Sequence, residues 1–443
     1  MRWRIVIRSG ASARSLLRSR VLVGALAAAL LAGCGTMRPV PPAVPAPVPM
    51  PAPVPSPMPQ PPAGPPSLRL DSIQFGELEA WTQSDPRSAL QAFLRSCAAL
   101  ATKPDDAPLG GVNYAGTAGE WRQVCNTAAR VSTDTPEPAR GFFESEFVPY
   151  RVGQGSGAGL FTGYYEPQLR GSRTRHGAYQ TPLYGVPIDL VNVDLGLFRE
   201  NLRGQRIVGK VADGRLIPYP ARAEIEGVGL GAAAPILFVD DPIDAFFLQI
   251  QGSGRVVLDD GTVVRAAYAA QNGRPYTAIG ALLIQRGELR RDAVSIQSIR
   301  AWLLEHPAEA PPLMNANASY VFFEEQPIGD PSLGATGAQR VPLTPEASLA
   351  VDLTVHALGI PVWLETIAPD PDTTKPDQTF HRLLVMQDTG GAIRGPVRGD
   401  VYWGYSPDAG SIAGRMRSEG RMTVLLPRGV ALRLGPNAEF AGR

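Results

Sequence analysis

The chain has 443 residues, enough for two or three domains with cores of their own. Its formal net charge is only +1, which excludes the strong field that draws a protein to nucleic acid or an acidic polymer. A hydrophobic share of 44% beside 19% charged residues is that of a globular protein, not of a disordered chain.

Arg2, Arg4, Arg8, Arg14, Arg18 and Arg20 precede an apolar stretch from Val21 to Leu31, followed by Ala32, Gly33 and Cys34. A basic start, a short hydrophobic core and small residues mark an export signal, and the stretch is too short for a transmembrane helix. Leu31-Ala32-Gly33-Cys34 resembles the bacterial lipobox, which implies that residues 1–33 are removed and that Cys34 is acylated as the mature N-terminus. Ordinary cleavage beside a chance cysteine is the plainer alternative. Gly35 stands where aspartate would signal retention at the inner membrane. Resemblance to lipoprotein sorting therefore implies the periplasmic face of a Gram-negative outer membrane. From Pro39 to Pro66 almost every second residue is proline, so residues 34–67 read as the lipidated cysteine and an extended polyproline II spacer. A ligand for a proline-recognising module is the rival reading.

The globular part begins near Leu68, and residues 68–171 are expected to hold N-terminal helices and the start of the main domain. Leu90, Phe93, Leu94, Cys97 and Leu100 share one helical face over 89–100. Trp121, Val124, Cys125 and Ala128 do the same for a second helix. Cys97 and Cys125 are either a disulfide or two buried thiols, since spacing alone does not fix their distance.

Over residues 172–324 the pattern shifts to short strand-like runs such as Ile236–Val239, Phe246–Ile250 and Val263–Ala269, punctuated by glycine and proline. Gly261 marks a hairpin between Val256–Leu258 and Val263–Arg265. Two helices are expected over Tyr276–Arg286 and Ser295–His306. On a strand through Phe246–Ile250, Gln249 and Gln251 face one side and Ser253 follows, a neutral hydrogen-bonding surface suited to a polyol with acetamide groups. Polar residues on the exposed side of a strand give the same pattern. The glycine clusters at 227–231 and 252–254 do not stand between a strand and a helix as a dinucleotide site requires. His176, His306, His356 and His381 lack metal-ligand spacing, so no cofactor and no metal are indicated.

Three aspartates close the chain: Asp352 in S-L-A-V-D, Asp388 in M-Q-D-T-G-G, and Asp400 in G-D-V-Y-W-G. Leu383–Met386 and Val401–Trp403 read as strands, so two carboxylates fall at strand ends beside glycine turns and aromatics. A lone aspartate at a strand end usually caps a turn. Three in this setting suit acid catalysis on a sugar.

The segments F-T-G-Y-Y-E-P (161–167), Y-P-A-R-A-E-I-E (219–226), F-F-L-Q-I-Q-G-S-G (246–254), Y-A-A-Q-N-G-R-P-Y-T-A-I-G (268–280), N-A-S-Y-V-F-F-E (317–324) and the stretch 388–404 resemble the membrane-bound lytic murein transglycosylase A family. The closing third resembles the three-aspartate domain, a double-psi β-barrel. The implied fold is mainly β with helices: N-terminal helices and a double-psi barrel completed by residues 325–443, with a smaller β domain inserted over 172–324 and a substrate groove between the two. The implied activity is cleavage of the β-1,4 bond between N-acetylmuramic acid and N-acetylglucosamine in peptidoglycan, with a 1,6-anhydro ring formed. One acid suffices, because the attacking group is the sugar's own C6 hydroxyl. By motif that acid is Asp400, kept protonated by apolar walls and a neighbouring negative charge. Asp388 is its supporting neighbour and Asp352 a structural brace. Tyr164, Tyr165, Glu166, Gln249, Gln251, Ser253 and Trp403 are the implied glycan-binding residues. Adjacent Tyr164 and Tyr165 point to opposite faces of a strand, so at most one lines the groove. The implied partners are peptidoglycan glycan strands, outer-membrane lipid and a cell-wall synthesis or division complex. A hydrolase on a related barrel and a noncatalytic peptidoglycan-binding lipoprotein remain the competing classes.

Overall fold

In a computed structural model the described residues are 68–153, 159–202 and 205–440; the expected signal, Cys34 and the proline-rich spacer lie outside them. In chain order the strands are β1 Leu68–Ser72, β2 Phe147–Gly153, β3 Gly159–Tyr164, β4 Gln168–Ser172, β5 Thr181–Tyr184, β6 Val191–Asp194, β7 Arg206–Ala212, β8 Arg215–Pro218, β9 Pro235–Val239, β10 Gly254–Leu258, β11 Val263–Gln271, β12 Val321–Pro327, β13 Ser348–Val351, β14 Pro361–Ala368, β15 Gln378–Asp388, β16 Arg398–Tyr402, β17 Arg417–Pro427 and β18 Asn437–Phe440. The helices are α1 Arg87–Ala101, α2 Ala118–Ala128, α3 Pro136–Glu146, α4 Arg222–Val228, α5 Pro242–Gln251, α6 Ile279–Gln285, α7 Ile296–Glu305, α8 Ala310–Asn315, α9 Pro407–Arg415 and α10 Arg428–Leu434.

The largest sheet runs β14-β15-β13-β16-β3-β17, and a further β14–β17 pairing closes these strands into a barrel. From β17 it continues outward through β2, β1 and β18. Two of the pairs, β13–β15 and β16–β3, are parallel while the others are antiparallel. The barrel strands are buried on both faces, as the consecutive runs Leu383, Leu384, Val385, Met386 and Val424, Leu425, Leu426 show, and they share one core with Val401 and Trp363. Helices α1 to α3 pack on this core through Leu90, Phe93, Trp121, Phe142 and Phe143. Cys97 and Cys125 are joined as a disulfide that ties α1 to α2, which resolves the choice the spacing left open.

A second sheet, β12-β11-β10-β4-β9-β5, uses strands from residues 168 to 327 and has its own core around Leu183, Leu237, Val256 and Phe323. A three-stranded ribbon β6-β7-β8 and helices α4 to α8 complete this part. One expected strand is a helix: Phe246–Ile250 lies inside α5. Asp241 caps that helix by accepting from the Ile243 amide at 2.8 Å, Pro242 opens it, and Gly252 ends it in the left-handed region. Apolar runs of this length do not tell strand from buried helix, and the two end signals decided the outcome. No described helix is long and apolar enough to cross a membrane.

Candidate active site

The adjacent parallel strands β3 and β16 carry the centre of the site. Their register sets Asp400 opposite Thr162 and Tyr402 opposite Tyr164. Alternation sends Phe161 and Val401 into the barrel core and turns Thr162, Tyr164, Arg398, Asp400 and Tyr402 to the opposite face. Gly163 is needed between them, since a β-carbon there would stand 2.8 Å from the Ala413 backbone of α9 and 2.7 Å from the Trp403 indole nitrogen.

Asp388 ends β15 on the far side of β13. Ala350 of β13 pairs with both Asp388 and Asp400, so the two aspartates sit on strands flanking one small residue. Two strand spacings put their backbones roughly 10 Å apart. Asp388 accepts from the Tyr164 hydroxyl and the Ala338 amide, each at 3.0 Å. Burial raises the Asp388 pKa above the ordinary carboxylate value, and the Asp400 charge adds to the rise against the lowering effect of these hydrogen bonds. Tyr164 is held well above the usual tyrosine value by burial and by Asp388.

The apolar walls expected around Asp400 are not what touches it. Its Oδ1 accepts from the Thr162 hydroxyl and from Nη1 of Arg398, in a short contact with each. Arg398 Nη2 donates to Thr162 Oγ1 at 2.9 Å, so the three side chains form a ring of polar contacts. Asp352 is 3% exposed; it accepts from Thr354 and, at 2.8 Å, from the Gly395 amide. That contact anchors the loop between Asp388 and Asp400, where Gly395 turns with φ 105°. The same loop is held at Pro396, whose carbonyl accepts from His356 Nε2 at 2.7 Å.

Of the other candidate residues Tyr165 and Gln251 are half-buried, while Ser253, Glu166, Gln249 and Trp403 are buried. Tyr165 packs against the barrel core, on the face opposite Tyr164, and its amide donates to Gln251 Oε1 at 3.0 Å. Ser253 accepts from the Tyr268 amide at 3.0 Å. Three more of these residues are engaged inside the protein. Glu166 is 2% exposed and receives Arg265 Nε at 2.5 Å and Arg255 Nε at 3.3 Å, a buried ion-paired junction between the barrel and the second sheet. Gln249, on α5 and not on a strand, is buried and accepts from Arg222 at 2.8 Å. Trp403 follows β16 into the core against Phe380. All three side chains are turned to protein partners in this structure.

The structure adds two tyrosines that the motifs alone did not single out. Tyr268 of β11 is 46% exposed and Tyr276, in the loop after it, is 40% exposed. Burial raises both above the usual tyrosine value, with a further contribution from the Asp388 charge on Tyr268 and the Asp400 charge on Tyr276. Tyr268 thus lies within electrostatic reach of Asp388, and Tyr276 of Asp400. Their signal lay in plain view in Y-A-A-Q-N-G-R-P-Y, and that of Arg398 in its position two residues before Asp400 on one strand face. Among the described residues no group of three or more His, Cys, Asp or Glu side chains could hold a metal ion.

Comparison with known proteins gives this arrangement a family. A family model described as the MltA specific insert domain matches residues 160–324, and a 3D domain model matches residues 347–426. The crystal structure of a membrane-bound lytic murein transglycosylase from Agrobacterium tumefaciens is 35% identical with a TM-score of 0.72, covering 82% of this chain and 99% of that one. The chain belongs to the membrane-bound lytic murein transglycosylase A family. Another MltA structure, from Neisseria gonorrhoeae, is 32% identical with a TM-score of 0.67, covering 84% of this chain and 98% of that one. MltA of Escherichia coli with bound chitohexaose is 28% identical with a TM-score of 0.56, covering 76% and 90%. In sequence the Escherichia coli K12 transglycosylase A is 34% identical over 267 residues, 60% of this chain and 65% of that relative. That alignment spans just under two thirds of the relative's length. The closed barrel with a second sheet is the MltA fold, as the resemblance implied.

Proposed function

We propose that this chain is a peptidoglycan lytic transglycosylase that breaks the β-1,4 bond between N-acetylmuramic acid and N-acetylglucosamine with Asp400 as its single acid/base. The observation that carries the reading is membership of the transglycosylase A family with Asp400 beside Thr162 on the face of β3 and β16 turned away from the barrel core. The chitohexaose bound by the Escherichia coli relative supports a glycan ligand.

In the first step protonated Asp400 gives its proton to the glycosidic oxygen as the bond to muramic acid C1 breaks. In the second the C6 hydroxyl closes on C1, and its proton returns to the Asp400 carboxylate. No water is consumed, and the enzyme ends in its starting state. Asp388 with Tyr164 supplies the second polar group on the floor, Asp352 braces the loop between the aspartates, and Tyr268, Tyr276 and Gln251 line the glycan's path, with Ser253 holding the Tyr268 backbone. The barrel completed by 325–443 and the 172–324 insert form the two walls. A signal over 1–33, acylated Cys34 and the 34–67 spacer would tether the body to the periplasmic face of the outer membrane, within reach of a cell-wall complex.

A second assignment, with Asp388 as the proton carrier, draws on its raised pKa. Digestion of purified sacculi by Asp400→Asn and Asp388→Asn variants separates the two. On the proposed reading Asp400→Asn abolishes release of anhydro-muropeptides with the fold retained, while Asp388→Asn leaves a measurable rate. The reverse order transfers the role to Asp388. Incorporation of heavy oxygen from labelled water at the new end would mean hydrolysis and end the transglycosylase reading.

A further inference from the structure

We propose that Arg398 is a positioning residue that, with Thr162, clamps one carboxyl oxygen of Asp400 and leaves Oδ2 as the oxygen that carries the transferred proton. The inference rests on the reading of Asp400 as the acid/base. Arg398 and Asp400 are two apart on β16 and so share a face, and Thr162 is the register partner of Asp400 on β3. The guanidinium serves four acceptors at once: Asp400 Oδ1, the Gly399 carbonyl at 2.7 Å, the Leu160 carbonyl at 3.4 Å and Thr162 Oγ1 at 2.9 Å. Thr162 in turn donates to the same Oδ1. Among the described residues no donor reaches Oδ2.

Both donors on one oxygen fix the rotamer of the carboxyl and point the other oxygen outward. They also divide the catalytic cycle unequally. When Oδ2 releases its proton to the glycosidic oxygen, the charge left on the carboxylate meets a cation already in contact, so the donating step gains. The return step, in which the carboxylate takes the C6 hydroxyl proton, is opposed by the same cation. The arrangement thus favours bond rupture, with ring closure driven by the intramolecular attack.

Other charged and titratable groups also face this carboxylate. Tyr164 of β3, Asp388 of β15 and Tyr276 of the loop after β11 lie within electrostatic reach. Arg417 of β17 stands opposite Thr162, one strand further on. Asp352 follows β13 but is turned to Gly395. Of the cations among these groups, only Arg398 bonds to Asp400.

Arg398→Ala, Arg398→Lys and Asp400→Asn in the full chain test the proposal, with kcat and KM for release of anhydro-muropeptides from sacculi measured across pH. For Arg398→Ala we expect kcat to fall about 10- to 100-fold with KM little changed. The alkaline limb of kcat should move to higher pH, because the cation in contact with the carboxylate is gone. Lysine restores charge but not the two-pronged fork, so Arg398→Lys should return the limb toward the wild-type position while kcat stays low. An unmoved limb in both variants, or kcat and KM changing together, would overturn the proposal while an inactive Asp400→Asn left the acid assignment standing. Activity surviving in Asp400→Asn would remove the acid assignment and this inference with it. Because Arg398→Lys keeps the charge and most of the bulk, it reports even where the alanine variant unfolds.

Discussion

His356 makes the stability of this fold depend on pH in a direction and amount that can be worked out. The ring is fully buried, with Nε2 against the Pro396 carbonyl and Nδ1 against the Tyr114 hydroxyl, both at 2.7 Å. A carbonyl only accepts, so Nε2 carries the hydrogen and Nδ1 accepts from Tyr114. Burial, the largest cause, lowers the His356 pKa from 6.5 to about 4. Between these values the unfolded chain binds a proton that the folded chain refuses. The contribution is therefore intact above pH 6.5, declines as pH falls toward 4, and changes no further below it. A shift of that size is worth about 3 kcal/mol between pH 7.5 and pH 4. Urea unfolding of the wild type and of His356→Gln, each at pH 7.5 and pH 4, measures it. The variant should be less stable at neutral pH yet lose about 3 kcal/mol less on acidification. Equal losses in the two proteins would refute the buried neutral imidazole.

Removing the Cys97–Cys125 disulfide by Cys→Ser at both positions frees a loop of 28 residues' separation, and the chain-entropy rule puts the cost at about 3.5 kcal/mol, readable by denaturant titration. Glu166→Gln leaves Arg255 and Arg265 buried beside a neutral amide; a loss of about 3–5 kcal/mol is expected, with activity falling through a loosened junction between barrel and insert. Stability of this variant equal to wild type would show that the pair is not needed there. Tyr276→Ala should raise KM about tenfold with a smaller change in kcat if the exposed ring is a glycan surface, since burying such a face is worth about 1–2 kcal/mol.

The readable parts of this protein were those written locally. Leu383–Met386 and Val401 announced buried strands by apolar content, Gly261 announced a hairpin, and Ser295 announced the start of α7; each signal lies within a few residues of what it specifies. The α5 helix was also written locally, in Asp241-Pro242 and Gly252, but its apolar interior supports a strand equally well and the end signals had to outweigh it. Glu166 was out of reach for a different reason. Its two arginines arrive from positions 255 and 265, and nothing near residue 166 says that its carboxylate turns inward. The partnership of Arg398 with Thr162 likewise exists only because β3 and β16 pair in parallel across more than half the chain.

That long-range pairing has a consequence for how the molecule is made. Leu68 of the first strand finds Phe440 of the last, and β3 is flanked on both sides by strands that emerge after residue 397. The insert can zip its hairpins as soon as they are synthesised, whereas the barrel must wait for the final segment, holding open edges and unburied apolar side chains meanwhile. Closure is thus a late, all-or-none event of high contact order. A chain cut short before β16 would lack both strands that flank β3 and leave the barrel unclosed.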